Sequence, residues 1–166
     1  MQSEPTPSAR ETFDDAFDRI FVLAYRAAFR ILGSREDAED VAMETLARAS
    51  RRWERITGHV EPWITRVAAN LALDAWRKRQ GAAKAALGAL PPPPATPLEA
   101  QRLDLVTALL RIPKRQRDTL VLRYFADLTE AQTAERMGVS VGTVKQQTFR
   151  AMDALRTDLS PTPDLP

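Results

Sequence analysis

Four consecutive prolines, Pro91 to Pro94, limit what this 166-residue chain can fold into more than any other feature. Each lacks an amide donor and has a fixed φ, so the run can neither continue a helix nor join the middle of a sheet. The stretch around them, GAAKAALGALPPPPATPLEAQ at residues 81–101, is expected to be a flexible Pro-rich linker without helix or sheet. It divides the chain into blocks at 12–80 and 102–159. Residues 1–11 and the SPTPDLP tail at 160–166 are expected to be disordered.

Both blocks carry helical periodicity and no convincing strand alternation, so the expected fold is all-α, two small helical domains. In the first block Phe13, Phe17, Ile20, Phe21, Ala24, Ala28, Ile31 and Leu32 recur at helical spacing, and Gly33 ends the helix. Ser34 opens a second helix with Val41, Leu46 and Ala49 inward, running to about Trp53. Thr57 to Glu61 reads as a loop, and Pro62 suits the first turn of a third helix reaching about Arg79. In the second block a short helix spans Asp104 to Ile112. Pro113 starts another, with Leu120, Val121, Leu122, Tyr124 and Phe125 as core candidates.

Composition removes several kinds of chemistry. With no cysteine there is no disulfide, thiolate metal site or thiol nucleophile, and the single histidine, His59, reads as a loop residue rather than a ligand. No paired carboxylates, nucleophile–base pair or phosphate-binding glycine loop stands at useful spacing. No catalytic residue, metal or cofactor is therefore expected, and the chain does not read as an enzyme. The opening MQSEPTPSAR has no apolar h-region and no run approaches the ~18 apolar residues of a membrane span, so a cytoplasmic protein is expected.

The net charge is only +2 but unevenly spread. Ser34 to Arg48 sets five acids against two arginines. Trp63 to Lys84 sets five bases against Asp74, and Arg111 to Arg123 sets five bases against Asp118. The basic stretches suit nucleic acid or a solvated face, and the acidic one a basic protein partner or plain solubility.

The most specific local pattern lies between Thr129 and Leu155. Thr129 is placed to cap a helix, and Ala134 is small enough for two helices to cross there. Gly138, four residues on, can take the left-handed conformation of a tight turn. Ser140 caps the next helix, whose stripe Val144, Thr148, Ala151 and Leu155 faces inward. Its other face offers Thr143, Gln146, Gln147 and Arg150, flanked by Lys145, side chains able to reach base edges and phosphates in a major groove. A helix-turn-helix on duplex DNA is the reading these residues favour over an ordinary helical hairpin.

The string Gly138-Val139-Ser140-Val141-Gly142-Thr143-Val144-Lys145, with Leu122-Arg123-Tyr124-Phe125 upstream, resembles region 4 of the extracytoplasmic-function sigma factors of bacterial RNA polymerase. Ala38-Glu39-Asp40-Val41-Ala42-Met43-Glu44-Thr45-Leu46 resembles region 2.2 of the same family, and the segment from Pro62 to Arg79 resembles regions 2.3 and 2.4. Two-component response regulators share a similar Thr-Val-Lys helix, so the first half decides between the families. The chain departs from the family at Thr133 and Thr148, which replace core aliphatics, and at Met43 and Gln147.

The resemblance implies a transcription initiation factor. Asp37, Asp40, Met43 and Glu44 would bind core polymerase through the coiled coil of its largest subunit, and region 4 would meet the flap. Trp63, Arg66, Asn70, Asp74, Arg77 and Lys78 would contact the melted −10 element, a polar stripe suited to phosphates and an unstacked base. Ser140, Thr143, Lys145, Gln146, Gln147 and Arg150 would hold the −35 duplex. Partners would be core RNA polymerase, promoter DNA and an anti-sigma factor. A stand-alone helix-turn-helix regulator is the alternative, with the first half serving dimerisation or sensing.

Overall fold

The computed structural model describes residues 11–87 and 94–159. The expected disorder at 1–10 and 160–166, and the conformation of Gly88 to Pro93, lie outside the described residues. No strand occurs among those described.

The chain begins with α1 (Phe13–Leu32), closed at both ends by its own residues. The Thr12 hydroxyl accepts from the Asp15 amide, and the Asp15 carboxylate accepts from the Thr12 amide, a reciprocal box that satisfies two orphan donors. Hydrogen bonding from Thr12 holds the Asp15 carboxyl below its ordinary pKa. Gly33 stops the helix in the left-handed conformation at φ 66°. Ser34 caps α2 (Arg35–Ser50), and a single turn, α3 (Trp53–Ile56), leads to α4 (Val60–Leu87). The first four helices form one bundle, with α1 packed against both α2 and α4. Ile20, Leu46, Ile64 and Leu73 are fully enclosed in it. Truncating such a side chain to alanine costs about 2–5 kcal/mol.

The second block comprises α5 (Pro97–Arg111), α6 (Lys114–Leu120), a π-helical turn at Val121–Phe125, α7 (Glu130–Met137) and α8 (Val141–Leu159). The wide turn places Leu122 inside and leaves Tyr124 52% exposed, so Tyr124 is not the core residue expected from its spacing.

Within 81–101, the described residues 81–87 and 94–101 are more regular than the prolines suggest. α4 continues to Leu87, and α5 begins at Pro97, with the Thr96 hydroxyl accepting from the Glu99 amide. Proline in the first turn of α5 loses no bond there. The two blocks also touch. α4 packs on the π-helical turn and α1 on α5, so one apolar core spans both. Trp76 is accordingly buried, with the Arg79 and Arg102 guanidiniums 5.2 and 5.6 Å from its ring centre.

Candidate nucleic-acid interface

The helix-turn-helix is built by local capping. Thr129 and Gln132 form a second reciprocal box at the start of α7. Gly138 takes φ 65°, and the Val139 amide reaches the Ala134 carbonyl at 3.0 Å, which turns the chain sharply. The Ser140 hydroxyl accepts from the Thr143 amide at 3.1 Å and so caps α8. Val144, Ala151 and Leu155 are buried, fixing which face of α8 looks outward.

Gln146 and Arg150 are exposed on that outer face, with Ser140 and the half-covered Thr143 at its N-terminal end. Lys145 is exposed and lies 3.6 Å from the Glu130 carboxylate. This end of α8 combines hydroxyls with a positive helix pole, which suits a phosphate. Gln147 does not share the face. It is half-buried, and its side-chain oxygen accepts from the Thr119 hydroxyl at 2.6 Å. Its spacing of three from Val144 carries it onto the inner edge, so its outward placement is corrected. Phe149 was missed by sequence reasoning. It is 71% exposed and stands three residues after Gln146 on the outer face. That offset was the available signal.

The seam beneath α8 is imperfect. Thr133 is fully buried, and neither its hydroxyl nor that of Thr148 has a partner. A buried unsatisfied hydroxyl costs about 1–3 kcal/mol.

On α4 the stripe divides into a covered and an open part. Asp74, Arg77 and Lys78 are exposed, with Arg77 3.8 Å from Asp74. Arg66 and Asn70 are half-buried, and the Asn70 amide donates to the Arg66 carbonyl and the Asp118 carboxylate, both at 3.0 Å. Trp63 is only 9% exposed, so it belongs to the core with one edge lining a cavity rather than standing free to stack. That cavity, ≈ 230 Å³, is walled by His59, Pro62, Trp63 and Arg66 on one side and Leu122, Glu135 and Arg136 on the other. Partial burial, with Arg136 and Arg66 close by, lowers the His59 pKa below its ordinary 6.5.

The acidic ridge lies on α2. Asp40, Met43 and Glu44 are exposed, Met43 at 52%. Glu44 pairs with Arg48 at 2.8 Å, and that hydrogen bond holds its carboxyl below the ordinary range. Asp37 is paired with Arg79 of α4. Between α2 and α4 runs an open groove lined by Asp40, Glu44, Leu71, Asp74, Arg77 and Lys78. Among the described residues no cluster of His, Cys, Asp or Glu could hold a metal, and no helix is long and apolar enough to cross a membrane.

An all-helical chain with a capped helix-turn-helix in one half and an acidic ridge beside a polar stripe in the other defines a DNA-binding transcription protein. Comparison with known proteins narrows the class. The family profile described as Sigma-70 region 2 matches residues 17–82, and that described as Sigma-70, region 4 matches residues 102–155. The chain is 33% identical over 139 residues to the RNA polymerase sigma-E factor of Streptomyces coelicolor, covering 81% of this chain and 78% of that protein. It is 28% identical over 169 residues to the ECF RNA polymerase sigma factor SigW of Bacillus subtilis, covering 90% of each. The fold is similar to that of the sigma factor RpoE of Bartonella quintana, solved in complex with the anti-sigma factor NepR. The TM-score there is 0.55 at 21% identity, over 92% of this chain and 98% of that one. The chain belongs to the extracytoplasmic-function sigma factors of the sigma-70 family. It is thus an alternative sigma factor directing RNA polymerase, a transcription initiation factor and not an enzyme.

Proposed function

We propose that this protein divides promoter recognition between α4 and α8 while α2 holds core RNA polymerase. Asp40, Met43 and Glu44 meet a basic surface of the polymerase largest subunit, and Asp37 joins them when Arg79 releases it. The second block sits on the flap and places α8 in the major groove of the −35 element, where Gln146 and Arg150 face base edges and Ser140 and Lys145 face phosphates. Arg77 and Lys78 hold the phosphates of the non-template strand at −10. Asn70 and Asp74 read a base turned out of the stack, with the His59–Trp63–Arg66 cavity beside them. Binding of unpaired bases supplies the free energy for melting.

The observation that carries this reading is the pairing, in one chain, of the exposed acidic ridge on α2 with two separate polar faces on α4 and α8. A regulator acting without polymerase needs only the face on α8. Because two weak contacts become strong when a scaffold fixes their separation, the isolated protein should bind duplex DNA weakly and bind promoters well with polymerase. The protein works in the cytoplasm beside polymerase, and an anti-sigma factor is proposed as its regulator, as in the complex solved for the Bartonella relative.

Run-off transcription with core polymerase on a promoter library tests the reading. Promoter-dependent transcripts that require the protein support it. Their absence from every template, or tight binding of one duplex sequence by the isolated chain, overturns it.

A further inference from the structure

The turn between α3 and α4, residues 57–59, supplies His59 to the cavity beside the proposed −10 face and has little packing of its own. Thr57 and Gly58 are exposed, and a Cβ at Gly58 would meet nothing within 4 Å. We propose that Arg19 of α1 is a positioning residue for −10 recognition, clasping Glu11 and Glu61 together so that this turn keeps its place when a base leaves the stack. This rests on the reading of α4 given above.

Arg19 serves two carboxylates with two different nitrogens. Its Nη2 donates to both oxygens of Glu11 at 2.8 Å, and its Nη1 donates to Glu61 in the first turn of α4. A guanidinium holds its donors in a rigid fork, so it can face both partners at once in a way a lysine cannot. The backbone of Glu11 is engaged as well, since its carbonyl accepts from Trp53 Nε1 of α3 at 3.1 Å. Trp53 in turn meets Phe13 edge to face, with ring centres 5.4 Å apart. The start of α1, the single turn of α3 and the start of α4 are thus joined through Arg19 and Glu11. Together Glu11, Trp53, Thr57, Gly58 and Val60 wall an open cavity of ≈ 290 Å³ on the flank of the turn.

Exposure argues that the clasp does little for the fold as a whole. The side chains of Arg19, Glu11 and Glu61 are 42%, 48% and 58% exposed. Ion pairs in that setting shift a folding equilibrium by about fivefold at most. The bundle has its own core, in which Ile20, Leu46, Ile64 and Leu73 are enclosed, so it stands without the clasp. For a three-residue turn the same factor matters more. Backbone bonds from His59 to the Ile56 carbonyl at 2.8 Å and from Trp63 to the His59 carbonyl at 3.2 Å give the turn its shape. Neither ties it to α1. The clasp does, and it lies wholly within the first bundle.

The test uses the full-length chain with core polymerase on a promoter drawn from the run-off library, with 2-aminopurine placed in turn at each non-template −10 position. Aminopurine brightens when it leaves the stack, so the wild-type protein should give one bright position. Arg19→Ala should dim it by about twofold to fivefold and flatten the base preference there. Protection of the −35 region and the melting midpoint of the free protein should stay as in wild type. Arg19→Glu should dim the signal further. Adding Glu61→Arg, which again sets a guanidinium between two carboxylates, should restore it. An ion pair that served only the fold would not link this rescue to a single −10 base. Should Arg19→Ala fail to fold, Glu61→Gln at the more exposed partner carries the same expectation. Unchanged brightness and preference in the folded variants, or a folded charge-swapped protein as dim as Arg19→Glu, would overturn the proposal. Failure of the underlying reading looks different: the wild-type complex would then show no bright position at −10.

Discussion

The two helices proposed to face DNA are presented in opposite ways. The outer face of α8 is open, with Gln146, Arg150 and the 71% exposed Phe149 on it. The face of α4 is half closed, because Asn70 is bonded to Asp118 and Arg66 lines a cavity shared with Glu135 and Arg136. The difference suits what each is proposed to bind. A duplex is present before polymerase arrives, so its reader can stand ready. An unpaired strand exists only after melting begins, so its reader can stay shut until then.

The largest effect should come from breaking the α4 side of this comparison. The double substitution Asn70→Ala, Arg77→Ala should lower run-off transcription by about tenfold to a hundredfold, since it deletes a base contact and a phosphate contact. Gln146→Ala on α8 should instead relax preference at one −35 base pair, at a cost of about 1–3 kcal/mol against the correct site. Equal loss of preference at both elements from either variant would erase the distinction.

Next come the two left-handed glycines. Gly138→Ala meets open space, so it reports backbone strain alone, about 1–2 kcal/mol in thermal or urea unfolding. Gly33→Ala adds a clash with Arg102 to the same strain and should cost more. Equal costs would mean that Arg102 moves aside freely.

Smaller gains are expected beneath α8. Thr133→Val and Thr148→Val remove buried hydroxyls that lack partners and should each stabilise the second domain by about 1 kcal/mol, seen as a higher denaturant midpoint. A lower midpoint would show that these hydroxyls are satisfied in solution.

The smallest effect concerns pH. Partial burial and the nearby Arg136 and Arg66 lower the His59 pKa in the folded protein, so below about 6.5 the unfolded chain binds the proton more readily than the folded one. The His59 contribution is intact above that value and is lost as pH falls through it. Melting curves between pH 7.5 and 5.5 should therefore show a slightly steeper loss for wild type than for His59→Gln. Identical slopes would place His59 in open water.

The sequence made the local devices legible and left the distant ones hidden. Gly33, Ser34, Thr129, Gly138 and Ser140 announce their caps because a cap is settled within four residues. The inward stripe of Val144, Ala151 and Leu155 followed from period alone. Other features needed partners far along the chain. Asp118 meets Asn70 across 48 residues, and Thr119 donates to Gln147 across 28. Trp76 is covered from the second block by Arg102, 26 residues on. At residues 81–87, Gly81 and the approaching prolines suggest a break where α4 continues. A single glycine costs a helix only about 1 kcal/mol, however, and the alanines around it offset that. The start of α5 was readable in Thr96-Pro97-Leu98-Glu99, where a capping threonine stands three residues before a glutamate, but the prolines just before it obscured the signal.

Permanganate footprinting of unpaired thymines, in complexes of core polymerase with the wild-type protein and with the Asn70→Ala, Arg77→Ala variant, tests the division of labour most directly. The account predicts reactive thymines at −10 with wild type and their loss in the variant, while the −35 region stays protected in both. Unchanged −10 reactivity in the variant, or joint loss of melting and −35 protection, would contradict it.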